Sequence, residues 1–235
     1  MQFNFTSQYI KLGFGLILNF LNFLVMAQPA GVLYDPEPPA DSAYVRVLLA
    51  SREGMVDVMV DGRPRIQKLM SGEASQYMVI TAGQHNIAVY PTGKSTAYFN
   101  AAFEVIKGRA VTLAFTTLGA GVAPVRFEDK ANSNRLKALL VVYNLDVKVG
   151  ALDVLASNGS VKVFSNVGYG TSVSVPVNPI SIDLIAVRVG DNAPLTQVSL
   201  AMTQGATYSI FLLPGANGKS IARTLQSNTE RYIAK

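Results

Sequence analysis

Residues 55–62 read Met55-Val56-Asp57-Val58-Met59-Val60-Asp61-Gly62. Valines at every second position put one apolar face on a strand, the period-two signature of a half-buried β-strand. Asp61-Gly62 is the kind of pair that closes a tight hairpin, because Gly accepts φ > 0 without a steric penalty. Working outward, Tyr44 to Leu49 precedes this strand. Ile66 to Met70, Tyr77 to Thr81, His85 to Tyr90, Ala97 to Phe103 and Ala110 to Phe115 follow it. Turns are expected at Ala82-Gly83 and at Lys107-Gly108, the latter as a hairpin. Short β-branched and aromatic runs with turn residues every 8–12 positions or so predict an antiparallel sandwich or barrel. No segment beyond the N-terminus has the 3.6-residue period of an amphipathic helix.

Residues 119–134 break this rhythm with Gly119, Gly121 and Pro124 and then a charged, polar stretch, and are read as a connection between domains. After it the same features start again. Met55 to Met59 lines up with Ala151 to Leu155, an offset of 96, and each is followed by a turn, Asp61-Gly62 and Asn158-Gly159. Phe103 to Val111 lines up with Leu200 to Tyr208, an offset of 97. Distant landmarks recurring at nearly one offset indicate an internal duplication. The expected fold is therefore all-β: two tandem, related antiparallel β-sandwich domains, 39–118 and 135–225, joined by a short linker. A tail, 226–235, follows.

Lys11 is the one charged residue before Asp35, and an apolar run from Leu12 to Met26 follows it, then Ala27 and Pro29. Length and flanks are those of a secretory signal peptide, 1–27, cleaved after Ala27. Its loss lowers the net charge from +5 to +4. Residues 28–38 form a lead-in. Cysteine is absent, which excludes disulfides, thiol catalysis and a lipid anchor after the apolar run. Hydrophobic residues make up 49% and charged residues 15%, which supports packed cores rather than disorder. Lys and Arg are scattered, so no basic stripe marks a nucleic-acid partner.

Catalytic signatures are missing. His85 is the single histidine, placed after a turn glycine, and no Gly-x-Ser-x-Gly elbow accompanies it. A zinc site needs more His or Cys ligands than the chain holds. Glu128-Asp129 beside Lys130 reads as solvated linker charge. Asp35, Glu37 and Asp41 do not have the spacing of a calcium loop, and Gly218-Lys219-Ser220 lacks the rest of a phosphate loop. Trp is absent, and tyrosines such as Tyr34, Tyr90, Tyr143 and Tyr169 read as packing residues rather than a sugar-stacking platform. No catalytic residue, metal or cofactor is expected.

Gly31-Val32-Leu33-Tyr34-Asp35-Pro36, then Pro39 and Ser42-Ala43-Tyr44-Val45-Arg46-Val47, resembles the opening of the AlgF family. Lys137 to Leu145 is similar to that family's first strand of the second domain, and Val177 to Ile182 to a further segment. Leu48-Leu49-Ala50 departs from the resemblance where an Asn is expected. The resemblance implies two β-sandwich domains and a periplasmic protein required for O-acetylation of alginate. It also implies an adaptor role, with no enzymatic activity, beside a periplasmic O-acetyltransferase and a membrane-bound acyltransferase. A cellulose acetylation system is an alternative setting, and a polysaccharide-binding module an alternative role. Candidate partner-binding residues are Leu33, Tyr34, Pro36 and Arg46.

Overall fold

In a computed structural model, residues 38–52, 54–119, 121–156, 159, 161–215 and 219–229 are described. The expected signal peptide, most of the expected lead-in and the candidates Leu33, Tyr34 and Pro36 lie outside them. The described residues form sixteen strands and no helix.

Eight strands build the first sandwich: β1 (Ser42–Leu49), β2 (Met55–Val60), β3 (Arg63–Met70), β4 (Met78–Thr81), β5 (Gly83–Pro91), β6 (Phe99–Val105), β7 (Ala110–Phe115) and β8 (Val125–Asp129). Eight build the second: β9 (Ala138–Asn144), β10 (Leu152–Ala156), β11 (Lys162–Val167), β12 (Ser172–Val177), β13 (Ser181–Arg188), β14 (Pro194–Ala201), β15 (Thr207–Pro214) and β16 (Ser220–Gln226). Sheet orders are β4-β1-β7-β8 and β3-β2-β5-β6 in the first, β12-β9-β15-β16 and β11-β10-β13-β14 in the second. Adding eight to each label of the first sandwich generates the second, so the duplication extends to every strand.

A matched pair of bulges marks the aligned landmarks. The Asp57 carboxylate accepts the Lys68 N–H at 2.7 Å, and Lys68 has φ 55°. The Asp153 carboxylate accepts the Asn166 N–H at 2.8 Å, and Asn166 has φ 53°. The ladder register shifts beside each aspartate, between Val56 and Val58 and between Leu152 and Val154. An extra residue forced into the left-handed region needs its N–H capped, and the aspartate opposite does so.

Three details differ from the sequence reading. The pairs β1–β7 and β9–β15 are parallel, because β2 to β6, and likewise β10 to β14, intervene and return the chain in the same direction. Lys107-Gly108 joins strands of opposite sheets and is a corner rather than the expected hairpin, and the turn at Ala82-Gly83 is likewise a corner between sheets. Asp61-Gly62 is a hairpin, with φ 51° and 74°. The supposed linker contains β8, which pairs antiparallel with β7 from Ala110↔Asp129 to Ala114↔Val125. Its alternation is masked by charge: Phe127 points inward while Arg126 and Glu128 pair outside.

Burial explains the run Ala138 to Asn144, which is buried at every position. Ala138, Leu140 and Val142 enter the second sandwich's core, while Leu139, Val141 and Tyr143 enter a separate cluster with Phe211 and Leu213. That cluster also takes Leu48, Ala50, Ala114 and Phe127 from the first sandwich, whereas Val45, Val47 and Leu49 face its own core. The two inner sheets therefore pack against each other, and β1 and β9 lose the polar alternation of a one-sided strand. Four sheets are stacked around three apolar layers.

Candidate functional site

The middle layer holds a fully buried cation. Arg46 projects from β1 between the inner sheets and is 0% exposed. Its Nε–H donates to Thr112 Oγ1 at 2.7 Å, Nη1 to Ser227 Oγ at 3.1 Å, and Nη2 to Tyr143 Oη at 2.9 Å and Ser209 Oγ at 3.1 Å. The guanidinium lies 4.6 Å from the Tyr77 ring centre and 5.2 Å from that of Phe211. Thr112 donates on to Asp129 Oδ2 at 2.5 Å and Tyr143 to Asp129 Oδ1 at 2.6 Å, while Tyr77 donates to Oδ2 at 2.8 Å. Cation and anion thus communicate through hydroxyls. A buried guanidinium is tolerated only when its donors are satisfied and a counter-charge is near. Both conditions hold.

Burial pushes the Tyr77 and Tyr143 hydroxyls far above the ordinary phenol range, against the pull of Arg46, so both stay protonated donors. Arg46, expected at a partner surface, is therefore corrected: with no exposed area it ties β1 to β9, β15 and the segment after β16. Asp129, read as solvated linker charge, is likewise corrected to a half-buried acceptor of three hydroxyls. Nothing local in Val45-Arg46-Val47 distinguishes an outward arginine from one beneath a second sheet.

His85 is placed with equal economy. Its Nδ1 lies 2.7 Å from Asp61 Oδ2 and its Nε2 2.8 Å from the Thr81 carbonyl oxygen, so both ring nitrogens are engaged at a hairpin end. That contact, with the Asn86 N–H, holds the Asp61 carboxyl below the usual carboxylate value. Among the described residues, no group of three or more His, Asp or Glu side chains is arranged to hold a metal.

An open cleft of about 880 Å³ lies where the loops of the two sandwiches meet at the C-terminal ends of β1, β7, β9 and β15. Arg52, Tyr98, Thr116 and Thr117 come from the first sandwich, Lys148 and Tyr169 from the second. Tyr169, read as a packing residue, is 39% exposed there. Sequence reading missed this grouping, since its members come from separate connections.

A family model described as alginate O-acetyl transferase AlgF matches residues 16–208. The chain belongs to the AlgF family. An AlgF from Azotobacter vinelandii, named an alginate biosynthesis protein, is 26% identical over 208 residues, covering 88% of this chain and 89% of its own. The solved C-terminal domain of AlgF from P. aeruginosa is 21% identical, covers 39% of this chain and 98% of its own, and superposes with a TM-score of 0.32. Family 41 carbohydrate-binding modules from streptococcal virulence factors reach 0.30 at 10% identity, over 82% of this chain and 100% of their own. Scores of this size carry no argument. The AlgF-like segments occupy scaffold positions: Lys137 to Leu145 is essentially β9, and Lys137 Nζ donates to Asn178 Oδ1 at 2.7 Å, joining it to Val177 to Ile182. Among the described residues, no helix is long and apolar enough to cross a membrane.

Proposed function

We propose that this protein is a periplasmic adaptor for O-acetylation of an exopolysaccharide, bridging acetyl-transfer proteins without carrying out chemistry itself. The observation that supports this reading is the internal commitment of its ionisable groups. Arg46, Asp129, Tyr77 and Tyr143 bond one another between the sheets, and His85 and Asp61 bond each other at a turn. A general base needs an accessible lone pair near a reacting proton, and these groups spend theirs on the fold. Fusing two sandwiches through a buried layer suits a bridging role, because it holds separate outer surfaces in one geometry. Alginate is the polymer suggested by the family, and the expected signal peptide supports a periplasmic location.

Co-purification of the full chain with the periplasmic O-acetyltransferase and the membrane-bound acyltransferase of its own system is the direct test. Both are expected in the eluate, and His85→Ala is expected to leave polymer acetylation in cells intact. Unchanged acetylation after deletion of the gene would overturn the adaptor role, and loss of acetylation by a folded His85→Ala protein would point to chemistry.

A further inference from the structure

The matched aspartates of the two sandwiches differ in what covers them. In the second sandwich Asp153 points away from the core, accepts the Asn166 N–H through Oδ1 and takes the Lys162 ammonium on Oδ2 at 2.5 Å. Asp153 is buried beneath that lysine. In the first sandwich Asp57 is half-buried, and its Oδ1 accepts both the Lys68 N–H and, at 3.0 Å, the Thr92 hydroxyl. The ladders identify the residue that corresponds to Lys162. Leu155 pairs with Lys162, and Met59, the equivalent of Leu155, pairs with Pro64. Proline has neither an ammonium nor an N–H to offer. Among the described residues, Asp57 Oδ2 has no hydrogen-bond or ion-pair partner.

An open hollow of about 400 Å³ lies around Asp57 on the outer face of the sheet β3-β2-β5-β6. Tyr90 stands opposite Asp57 on the β2–β5 ladder, and Met59 and Pro64 extend the apolar surface beside it. Lys68 and Lys94 also line the hollow; both are exposed, and neither forms an ion pair with Asp57. Two ammonium groups beside one carboxylate make the surroundings net positive. A lone cation is therefore a poor occupant, whereas a cation carried between carboxylates satisfies all three groups.

We propose that this hollow receives a lysine side chain of a partner protein, presented between acidic neighbours. The second sandwich supplies the precedent, since there a lysine of the chain itself takes the equivalent place on the matched aspartate. A lysine stem buries its methylenes along apolar surface while its ammonium reaches a carboxylate. The Tyr90 ring adds attraction for the cation, and the acidic neighbours meet Lys68 and Lys94 through charge-assisted hydrogen bonds. Strand β3 is an edge, but Pro64 and the bulge at Lys68 interrupt its ladder, so side chains make the contact rather than an added strand. The docking surface follows from comparing the two repeats and not from the adaptor role. Its test needs no acetyl-transfer protein, so the two readings fail separately.

The test is a titration of the full chain, carrying isotopically labelled methionine methyl groups, with the peptide acetyl-Glu-Lys-Glu-amide. Nuclear magnetic resonance reads the Met59 methyl signal, assigned by its loss in Met59→Leu. A saturable shift is expected. The same peptide with norleucine for lysine keeps the stem without the ammonium and should bind at least about fivefold more weakly. Acetyl-Gln-Lys-Gln-amide, without the acidic neighbours, should also bind more weakly. Asp57→Asn keeps an acceptor for the Lys68 N–H and should lose the preference for lysine over norleucine. Pro64→Lys places a lysine where the second sandwich has Lys162 and should fill the hollow and abolish binding. Unchanged thermal unfolding of Asp57→Asn separates lost binding from lost fold. The proposal is overturned by an absent or unsaturable shift at Met59, or by equal binding of the norleucine or the Gln peptide. Equal binding by Asp57→Asn, or undiminished binding by Pro64→Lys, overturns it as well.

Discussion

Arg46→Met tests whether the two sandwiches are joined through the buried cation. Met fills much of the stem volume, so the loss falls on the polar network rather than on a cavity. Four donated hydrogen bonds disappear, each contributing about 0.5–1.5 kcal/mol net. Asp129 keeps its three hydroxyl donors but loses the cation behind two of them. Removing one member of a buried charged pair typically costs about 3–5 kcal/mol, and both routes meet near 4 kcal/mol or so. For a chain of this size that lowers Tm by about 8–16 °C. Urea and thermal unfolding followed by tyrosine fluorescence and circular dichroism would measure it. The exposed Arg109→Met is the control, expected within about 0.5 kcal/mol of the parent. Adding Asp129→Asn to Arg46→Met should recover about 1 kcal/mol or more, because the two sites share a network. A loss under about 1 kcal/mol for Arg46→Met, or strict additivity with Asp129→Asn, would refute the argument.

The layer between the sandwiches should count as core: Phe211→Ala is expected to cost about 3–5 kcal/mol, as much as Phe115→Ala inside the first sandwich, by urea unfolding. A cost near zero would show that the inner sheets only touch. Asp153 has its carboxyl held below its ordinary value by Lys162 Nζ and the Asn166 N–H. Its contribution is therefore present above the unfolded value near 3.8 and lost as pH falls through the lower folded value. Asp153→Asn should destabilise at neutral pH, and the gap to the parent should close as pH falls through the lowered folded value; a constant gap would contradict this. Gly62 has φ 74° and open space where a Cβ would stand, so Gly62→Ala should cost about 1 kcal/mol from backbone conformation alone, and Gly62→Asn less. Equal stability of all three proteins in urea would exclude that account.

Much of the fold was legible because alternation is local. Val56, Val58 and Val60 announce a strand from five consecutive residues, and all seven strands read in the first sandwich are present. The repeat was legible for a physical reason as well: Asp57 and Asp153 recur because each caps a bulge. Strand β8 was missed because its five residues carry three charges, Arg126, Glu128 and Asp129, which look like a solvated connection until Phe127 is seen to be buried. The Lys107-Gly108 corner was misread because a tight turn has the same letters whether the chain stays in its sheet or crosses to the other.

The candidate sites were far less legible. Arg46 meets Tyr143 across 97 positions and Ser227 across 181, separations over which residue letters say nothing about proximity. The cleft draws on connections from both sandwiches, and its cations look like any exposed Arg52 or Lys148. By itself the sequence determined seven strands of the first sandwich, the Asp61-Gly62 hairpin, the duplication and the family, because period, turn chemistry and repeated landmarks are properties of neighbouring residues. Only the tertiary structure decided that two inner sheets bury each other, that Arg46 is enclosed rather than presented, and that Arg52 and Lys148 share a cleft. Those outcomes depend on which sheet faces meet, and face pairing is set by packing across the chain, not by the residues on either side.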